Sequence, residues 1–313
     1  MDIRPLTLDD CSAWSDLLAV SFARQPAQMT ALLHHFYGER QLVAWGAWDG
    51  ANLAAQYSCL LTQIHIPGFD MPQTVGMSIN MAVHPNYRGR GLIKHVSQPV
   101  YQEVFERGGI AGVGFSNAEG VKVDKRSKGY GYQVVGKMST SFAWIKPLRP
   151  KSRGSLMLSS TWPNDLLPKP ANNKSVCFAH SPENLAQRFG THPFRSYQFG
   201  VQKAKQGVKG VVVYRPFSRW GVKGVSLLTA YGADLCSLLE QWRRALAREH
   251  VRFVHFVSSP HAALSQTMRQ LTWCFPLVAS KTPYFLTAKP LNKATPPDLF
   301  KFEQWDCVGG DIL

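Results

Sequence analysis

The stretch Val83-His84-Pro85-Asn86-Tyr87-Arg88-Gly89-Arg90-Gly91-Leu92-Ile93 constrains this chain most. An apolar run, Met77 to Val83, stops just before a proline, two glycines then alternate with two arginines, and a helix-compatible segment starts at once. The order is strand, tight basic loop, helix start. Glycines let the backbone bend and come close to a ligand. The unpaired N–H groups of a helix start favour an anion. The segment therefore predicts a loop that holds a phosphate group, set in an α/β fold with a strand on one side and a helix on the other.

The rest of the chain is compatible with such a fold. Its 313 residues suffice for two domains. With 45% hydrophobic and 12% aromatic residues, large cores can form and disorder is disfavoured. No apolar run approaches the roughly 20 residues of a membrane helix; the uncharged stretch Ala51–Phe69 is interrupted by Asn52, Gln56, Gln63 and His65. The start, Met1-Asp2-Ile3-Arg4-Pro5, lacks the layout of a signal peptide. The six cysteines lie far apart with no CxxC pair, so neither a metal site nor a disulfide framework is expected. These features predict a cytoplasmic protein with reduced thiols. The net charge of +15 raises the local concentration of anionic partners, whether nucleic acid, an acidic membrane surface, an acidic cofactor or a nucleotide-linked substrate.

Periodicity and turn signals predict an alternating series of elements. A short strand over Ile3–Leu8 is followed by a helix capped by Asp9 or Asp10 and running to about Phe22. Strands over Gln41–Trp48 and Leu53–Ile66 flank the Asp49-Gly50 hairpin turn. After the strand Val75–Val83, a helix over Leu92–Arg107 carries Leu92, Val96, Val100 and Val104 on one stripe, with Pro99 inside it. The strand Ile110–Phe115, a helical segment from Ser116-Asn117 to about Lys128, and strands near Tyr132–Ser139 and Phe142–Ile145 complete the first half. Pro150–Lys174, rich in Pro, Ser, Lys and Arg, reads as a linker or surface connection. The second half repeats this outline with a strand Gly224–Thr229, a helix Asp234–Glu249, a strand Val251–Val257 and a helix Pro260–Leu271.

The offsets support a duplication. Ser116-Asn117 lies 142 residues before Ser258-Ser259, and the Phe142–Leu148 stretch lies 143 residues before Phe285–Leu291. At the same offset, positions 88–91 map near Ala230-Tyr231-Gly232-Ala233, where the arginines and the glycine pair are missing. The expected domains are residues 1–149, a connection over 150–174, and a second, altered copy over 175–313.

The order strand, V-x-P-x-Y-R-G-x-G, helix, strand, Asn-led helix resembles the GCN5-related N-acetyltransferase (GNAT) superfamily, whose phosphate loop reads Q/R-x-x-G-x-G/A. Arg88, Gly91 and Ile93 fill its three anchors, the last departing from the pattern. Asn117 stands where the family often has an Asn after the fifth strand, and Lys128-Gly129-Tyr130-Gly131-Tyr132 resembles the close of the cofactor-binding half. Arg188, Pro193, Phe194 and Tyr197 are similar to a stretch of the two-copy members. The resemblance covers residues 1–148 well. It implies a mixed-sheet α/β GNAT fold followed by a degenerate GNAT-like domain, with no metal. It also implies acetyl-coenzyme A, or another acyl-coenzyme A, held by Met81, Ala82, Val83, Arg88, Gly89, Arg90, Gly91, Leu92, Ile93 and Asn117. The reaction implied is direct attack of a primary amine on the thioester.

An amine is protonated at neutral pH, so a base helps, and the leaving thiolate benefits from an acid. Many family members keep a carboxylate on the fourth strand, but Met77-Ser78-Ile79-Asn80-Met81 has none. The candidates for a catalytic role are Ser78, able to position a water; Asn80, which is no base; His84; and Tyr130, with Tyr132 beside it. The acceptor expected is a small-molecule amine such as an amino sugar, anionic or nucleotide-linked. Two further readings stay open: an aminoacyl-tRNA-dependent transferase, favoured by the charge and opposed by the loop, and a non-catalytic coenzyme A sensor, favoured by the missing carboxylate.

Overall fold

The computed structural model describes residues 1–37, 41–126, 131–146, 156–169, 174–219, 221–277 and 283–312. They fall into two units, one of Met1–Gly136 with Tyr284–Phe300, the other of Lys137–Pro283 with Lys301–Leu313.

Unit 1 begins with β1 (Asp2–Pro5), α1 (Cys11–Phe22) and α2 (Pro26–Tyr37), the last not foreseen from the sequence. There follow β2 (Leu42–Asp49), β3 (Asn52–His65), β4 (Gln73–Val83), α3 (Leu92–Glu106), β5 (Ala111–Ser116), α4 (Ala118–Arg126) and β6 (Gln133–Lys137). The Asp49-Gly50 turn forms as expected, with Gly50 at φ 59° and Asp49 opposite Asn52. The α3 stripe of Leu92, Val96, Val100 and Val104 packs on Val43, Ala47, Ala54, Tyr57 and Cys59 of β2 and β3. Each such fully buried side chain contributes about 1.5–3 kcal/mol from apolar area. Gly76 lets β4 pass directly beneath this helix, since a Cβ there would lie 2.9 Å from Val104.

Unit 2 holds β7 (Ser139–Trp144), β8 (Leu156–Ser159), the two-residue β9 (Cys177–Phe178), α5 (Pro182–Leu185), β10 (Gln198–Ala204), β11 (Gly207–Arg219) and β12 (Val222–Gly232). After these come α6 (Leu235–Arg248), β13 (Phe253–Ser258), α7 (Ala263–Leu271) and β14 (Cys274–Pro276). The spacing of Leu235, Leu238, Leu239, Trp242 and Leu246 predicts the buried side of α6: the last four enter a core with Val212, Tyr214, Leu227, Val254 and Phe256, and Leu235 packs partly buried against it. The final strand, β15 (Phe285–Pro290), belongs to unit 1.

The two sheets have the same plan. Along unit 1 the strands run β1-β2-β3-β4-β5-β15-β6, and along unit 2 β8-β10-β11-β12-β13-β7-β14. In each, one parallel pair (β4–β5, β12–β13) sits among antiparallel neighbours. The duplication suggested by the offsets is thus visible as a repeated topology.

The strands near Phe142 and Phe285 have exchanged places. β7 pairs antiparallel with β13, with Ser258 opposite Ser139, while β15 pairs with β5, with Phe285 opposite Ser116. The linkage explains why. Met138 alone separates β6 from β7, and one residue cannot close a hairpin, which needs two or more. The chain therefore runs on into the second sheet. Consequently the units do not divide at the expected positions 149 and 174. β8, inside the segment read as a connection, is an edge strand whose Gly200 partner is Leu158; its Leu-Met-Leu run outweighs the loop-like composition around it. Residues 150–155 and 170–173 of that segment lie outside the described residues.

Candidate functional site

The site starts where the β4–β5 ladder ends. Parallel rungs run from Val75 opposite Ala111 to Ser78 opposite Gly114. Beyond that rung β4 continues to Val83. On its other edge Ser58 pairs with Ile79 but Gln56 with Ala82, so β4 carries one extra residue. That bulge is Asn80, at φ 50°. Asparagine tolerates this left-handed conformation better than most residues, and a bulge bends the strand that bears it. The Asn80 carbonyl accepts the side-chain N–H of the buried Gln56, and Ser58 Oγ donates to the Ile79 carbonyl at 2.9 Å. Asn80 therefore shapes the backbone.

Past the bulge, His84 N–H donates to the Ala54 carbonyl at 2.9 Å. Because backbone groups alternate along a strand, the Val83 groups then face the β5 side. A short turn at Pro85–Tyr87 follows, in which His84 Nδ1 accepts the Asn86 N–H at 3.3 Å. With Nδ1 engaged as acceptor, the neutral ring carries its proton on Nε2 and presents a donor. Tyr87 donates to Asp49 at 2.9 Å, and the Arg90 guanidinium lies 4.9 Å from the Tyr87 ring centre. Arg88 is exposed.

Gly89 and Gly91 adopt φ 80° and 71°, and a Cβ on either would meet nothing within 4 Å. The glycines are there for the backbone, and the space above them is open. Gly91 is the N-cap of α3 and no side chain caps the helix among the described residues. The first α3 N–H groups are thus left for an anion. Leu92 and Ile93 are buried in the core beneath α3. Ile93 departs from the small residue of the family pattern at no cost to the loop, because its side chain joins the core. The arrangement fits a pyrophosphate held by main-chain N–H groups, with Arg88 beside it.

The catalytic candidates are scattered. Ser78 Oγ accepts from Tyr57 at 2.8 Å, and the hydroxyl chain continues through Tyr101 at 2.6 Å to Tyr132 at 2.6 Å. Burial holds the Tyr101 and Tyr132 hydroxyls well above the usual phenol range. The Lys289 ammonium, delivered by β15, lies 4.3 Å from the Tyr101 ring centre. No sequence spacing joins these residues; only the fold does. Tyr130 lies outside the described residues. Asn117 is exposed and accepts the Gly120 N–H at 2.8 Å, capping α4. Near the bulge, Trp14, Leu18, Leu32, Leu33 and Phe36 of α1 and α2 line a small apolar hollow with Ser58, Ile79 and Asn80. Among the described residues no group of three or more His, Cys, Asp or Glu could hold a metal ion, and no helix is long and apolar enough to cross a membrane.

The corresponding end of unit 2 differs. Rungs end at Leu227 opposite Phe256, and a bulge again follows, with Tyr214 opposite Leu227 but Val213 opposite Thr229. Between β12 and α6, however, only Ala233 and Asp234 intervene, against residues 84–91 in unit 1. The connection is too short for such a loop: Ala230, Tyr231 and Gly232, which the sequence offset set against it, lie on the strand itself. The Asp234 carboxylate accepts the Ser237 N–H at 2.9 Å and caps α6.

Residues 2–132 match the family model for an acetyltransferase (GNAT) domain. Residues 2–132 are thus similar to the acetyltransferase domain of the GNAT family, which uses acetyl-coenzyme A as co-substrate. Solved structures share the fold over most of its length. A probable N-acyltransferase from Enterococcus faecalis gives a TM-score of 0.68 at 12% identity, covering 93% of this chain and 72% of the other. A GCN5-related N-acetyltransferase from Anabaena variabilis gives 0.66 at 12% identity, covering 93% and 73%. A tandem GNAT protein from the clavulanic acid biosynthesis pathway gives 0.51 at 12% identity, covering 94% and 99%. No curated protein sequence matches the chain.

Proposed function

We propose that unit 1 binds acetyl-coenzyme A and transfers its acetyl group to a primary amine of a small molecule, while unit 2 is a copy that has lost the cofactor loop. The observation that carries this reading is the uncapped start of α3 at Gly91, behind a basic loop and a bulged β4. Main-chain N–H groups from Gly89 to Ile93 hold the pyrophosphate, with Arg88 and Arg90 adding positive field. Beyond the Ser78–Gly114 rung, the Met81–Val83 backbone pairs with the extended carrier arm, and the Val83 N–H faces the carbonyl on which negative charge develops. Asn117 closes the α4 side. Bound acetyl-coenzyme A supplies the thioester.

The acceptor enters beside Asn80, where β4 bends away from β5. His84 Nε2–H is the donor nearest the end of β4 in the chain and hydrogen-bonds the leaving sulfur, which takes up the proton that the attacking amine releases. Ser78, engaged by Tyr57, contributes through the hydroxyl chain rather than by holding a water in the cleft.

Calorimetric titration with acetyl-coenzyme A tests the reading. Micromolar binding by the wild type, lost in Arg88→Ala plus Gly91→Val, supports it; no binding, or binding indifferent to the double substitution, overturns it. The coenzyme A sensor is the second reading, favoured by the absence of a carboxylate on β4. Thiol release with a panel of amines separates the two, because tight binding without turnover on any amine selects the sensor.

A further inference from the structure

The end of the chain occupies a particular place in unit 2. Val308 bridges antiparallel to Ser258, the last residue of β13. Ser259 N–H donates to the Cys307 carbonyl at 2.8 Å, and the buried Ser259 Oγ accepts the Cys307 N–H at 3.3 Å and donates to the Trp305 carbonyl at 2.5 Å. On the other side, Gly310 lies against β12: a Cβ there would sit 2.9 Å from the Leu228 carbonyl oxygen and 2.9 Å from Thr229 Cβ. Gly309 faces Val257, with a Cβ position 3.5 Å from its carbonyl oxygen. The Gly309-Gly310 pair thus threads between Leu228–Thr229 and Val257–Ser258, and at Gly310 only main chain has room. Past it, Asp311 accepts the Val308 N–H at 2.7 Å and lies 2.7 Å from His180 Nε2. Trp305, Cys307 and Asp311 are buried.

The repeat says what this slot is. The last parallel rung is Leu227–Phe256 in unit 2 and Ser78–Gly114 in unit 1. The residues flanking the tail, Leu228–Thr229 and Val257–Ser258, are therefore the counterparts of Ile79–Asn80 and Phe115–Ser116. An extended segment with free N–H and C=O groups is the chemistry such a splayed strand pair accepts, as in strand addition.

We infer that Trp305–Asp311 is a built-in ligand of unit 2, taking the start of the splayed β12–β13 pair at the counterparts of Ile79–Asn80, next to the counterpart of the backbone on which the carrier arm lies in unit 1, so that the chain binds one acyl-coenzyme A. The slot filling stands on the geometry of unit 2; the count of one rests on the function proposed for unit 1.

Amide hydrogen exchange on the full-length protein tests the slot. Gly310→Val cannot place its side chain against β12 and should speed exchange at Leu228, Thr229, Ser258 and Ser259 at least 10-fold, leaving β4 and β5 unchanged. Ser259→Ala adds no bulk, removes two tail hydrogen bonds, and should speed exchange at Cys307 and Val308 several-fold; it decides the matter should Gly310→Val fail to fold. Unchanged exchange in the Ser259 variant, or in a folded Gly310 variant, overturns the inference. So does an acetyl-coenzyme A titration showing two sites, one of which survives Arg88→Ala plus Gly91→Val. Absence of any coenzyme binding, with the exchange results as expected, overturns the reading of unit 1 and the count alone.

Discussion

Units 1 and 2 share a sheet plan, a parallel strand pair and a bulge after its last rung, yet they make opposite use of the helix that follows. In unit 1 eight residues separate β4 from α3, and the helix starts on a glycine with no side-chain cap. In unit 2 two residues suffice, and Asp234 supplies an oxygen to the first turn. A helix start needs its N–H groups satisfied. A residue that satisfies them from within stabilises the fold and ends the anion site; a glycine leaves them to a ligand. The same strand plan thus yields an open helix start in one unit and a capped one in the other.

The largest expected effect comes from closing the unit 1 site. Gly91→Val forces a β-branched residue to φ 71° and should weaken acetyl-coenzyme A binding by about 100-fold, a loss of roughly 2.7 kcal/mol. Asp234→Ala, at the matching helix start, should leave binding untouched. If both variants bind alike, the contrast between the two helix starts fails.

The bulges offer a second break. Only the unit 1 bulge carries a non-glycine residue at positive φ among the described residues of the two strands. Asn80→Val should cost about 1–3 kcal/mol of stability and reduce thiol release, whereas Asn80→Gly should be near neutral in stability. Gln56→Leu, which strips the N–H from the Asn80 carbonyl, should reduce turnover more than coenzyme affinity. Equal tolerance of Val and Gly at position 80, by thermal unfolding, would show that the bulge is not held in this conformation.

The cap itself has a smaller effect. Asp234→Ala should cost about 1 kcal/mol, and Asp234→Asn much less, because Asn still accepts the Ser237 N–H. A chemical denaturation series over the three chains measures both differences.

What could be read from the sequence follows the range of the forces involved. The loop, the Asp49-Gly50 hairpin and the stripes of α3 and α6 are local patterns, and each formed where expected. The repeat was legible as a pair of offsets because its strands kept similar residues. The strand exchange was not, because it depends on the one-residue link at Met138, a matter of connection length rather than of composition. The short crossing was masked too: a single offset of 143 concealed the two-residue connection between β12 and α6. The hydroxyl chain from Ser78 to Tyr132 joins residues from β3, β4, α3 and the approach to β6, and α2 lacks the strong pattern that revealed α3.

The smallest expected effect contrasts one carboxylate in each unit. In unit 1, Asp10 is bound by Arg4 at 2.7 and 3.0 Å, which holds its carboxyl below the ordinary range. A depressed carboxyl adds stability that is present above about pH 4 and is lost as the pH falls through its folded value. Asp10→Asn should therefore cost up to about 1 kcal/mol at pH 7, the pair being partly solvated, and nothing near pH 2. In unit 2, burial raises the Asp306 carboxyl, against the bond it accepts from the Ala263 N–H at 3.2 Å. There the sign reverses: the unfolded carboxyl releases its proton first, so ionisation costs stability as the pH rises. Asp306→Asn keeps an acceptor for Ala263 and should be neutral or stabilising at pH 7, with the difference fading in acid. Melting temperatures of the two variants from pH 2 to 7 should thus approach the wild-type curve from opposite sides; convergence from the same side would show that Asp306 has a cationic partner in solution that offsets its burial.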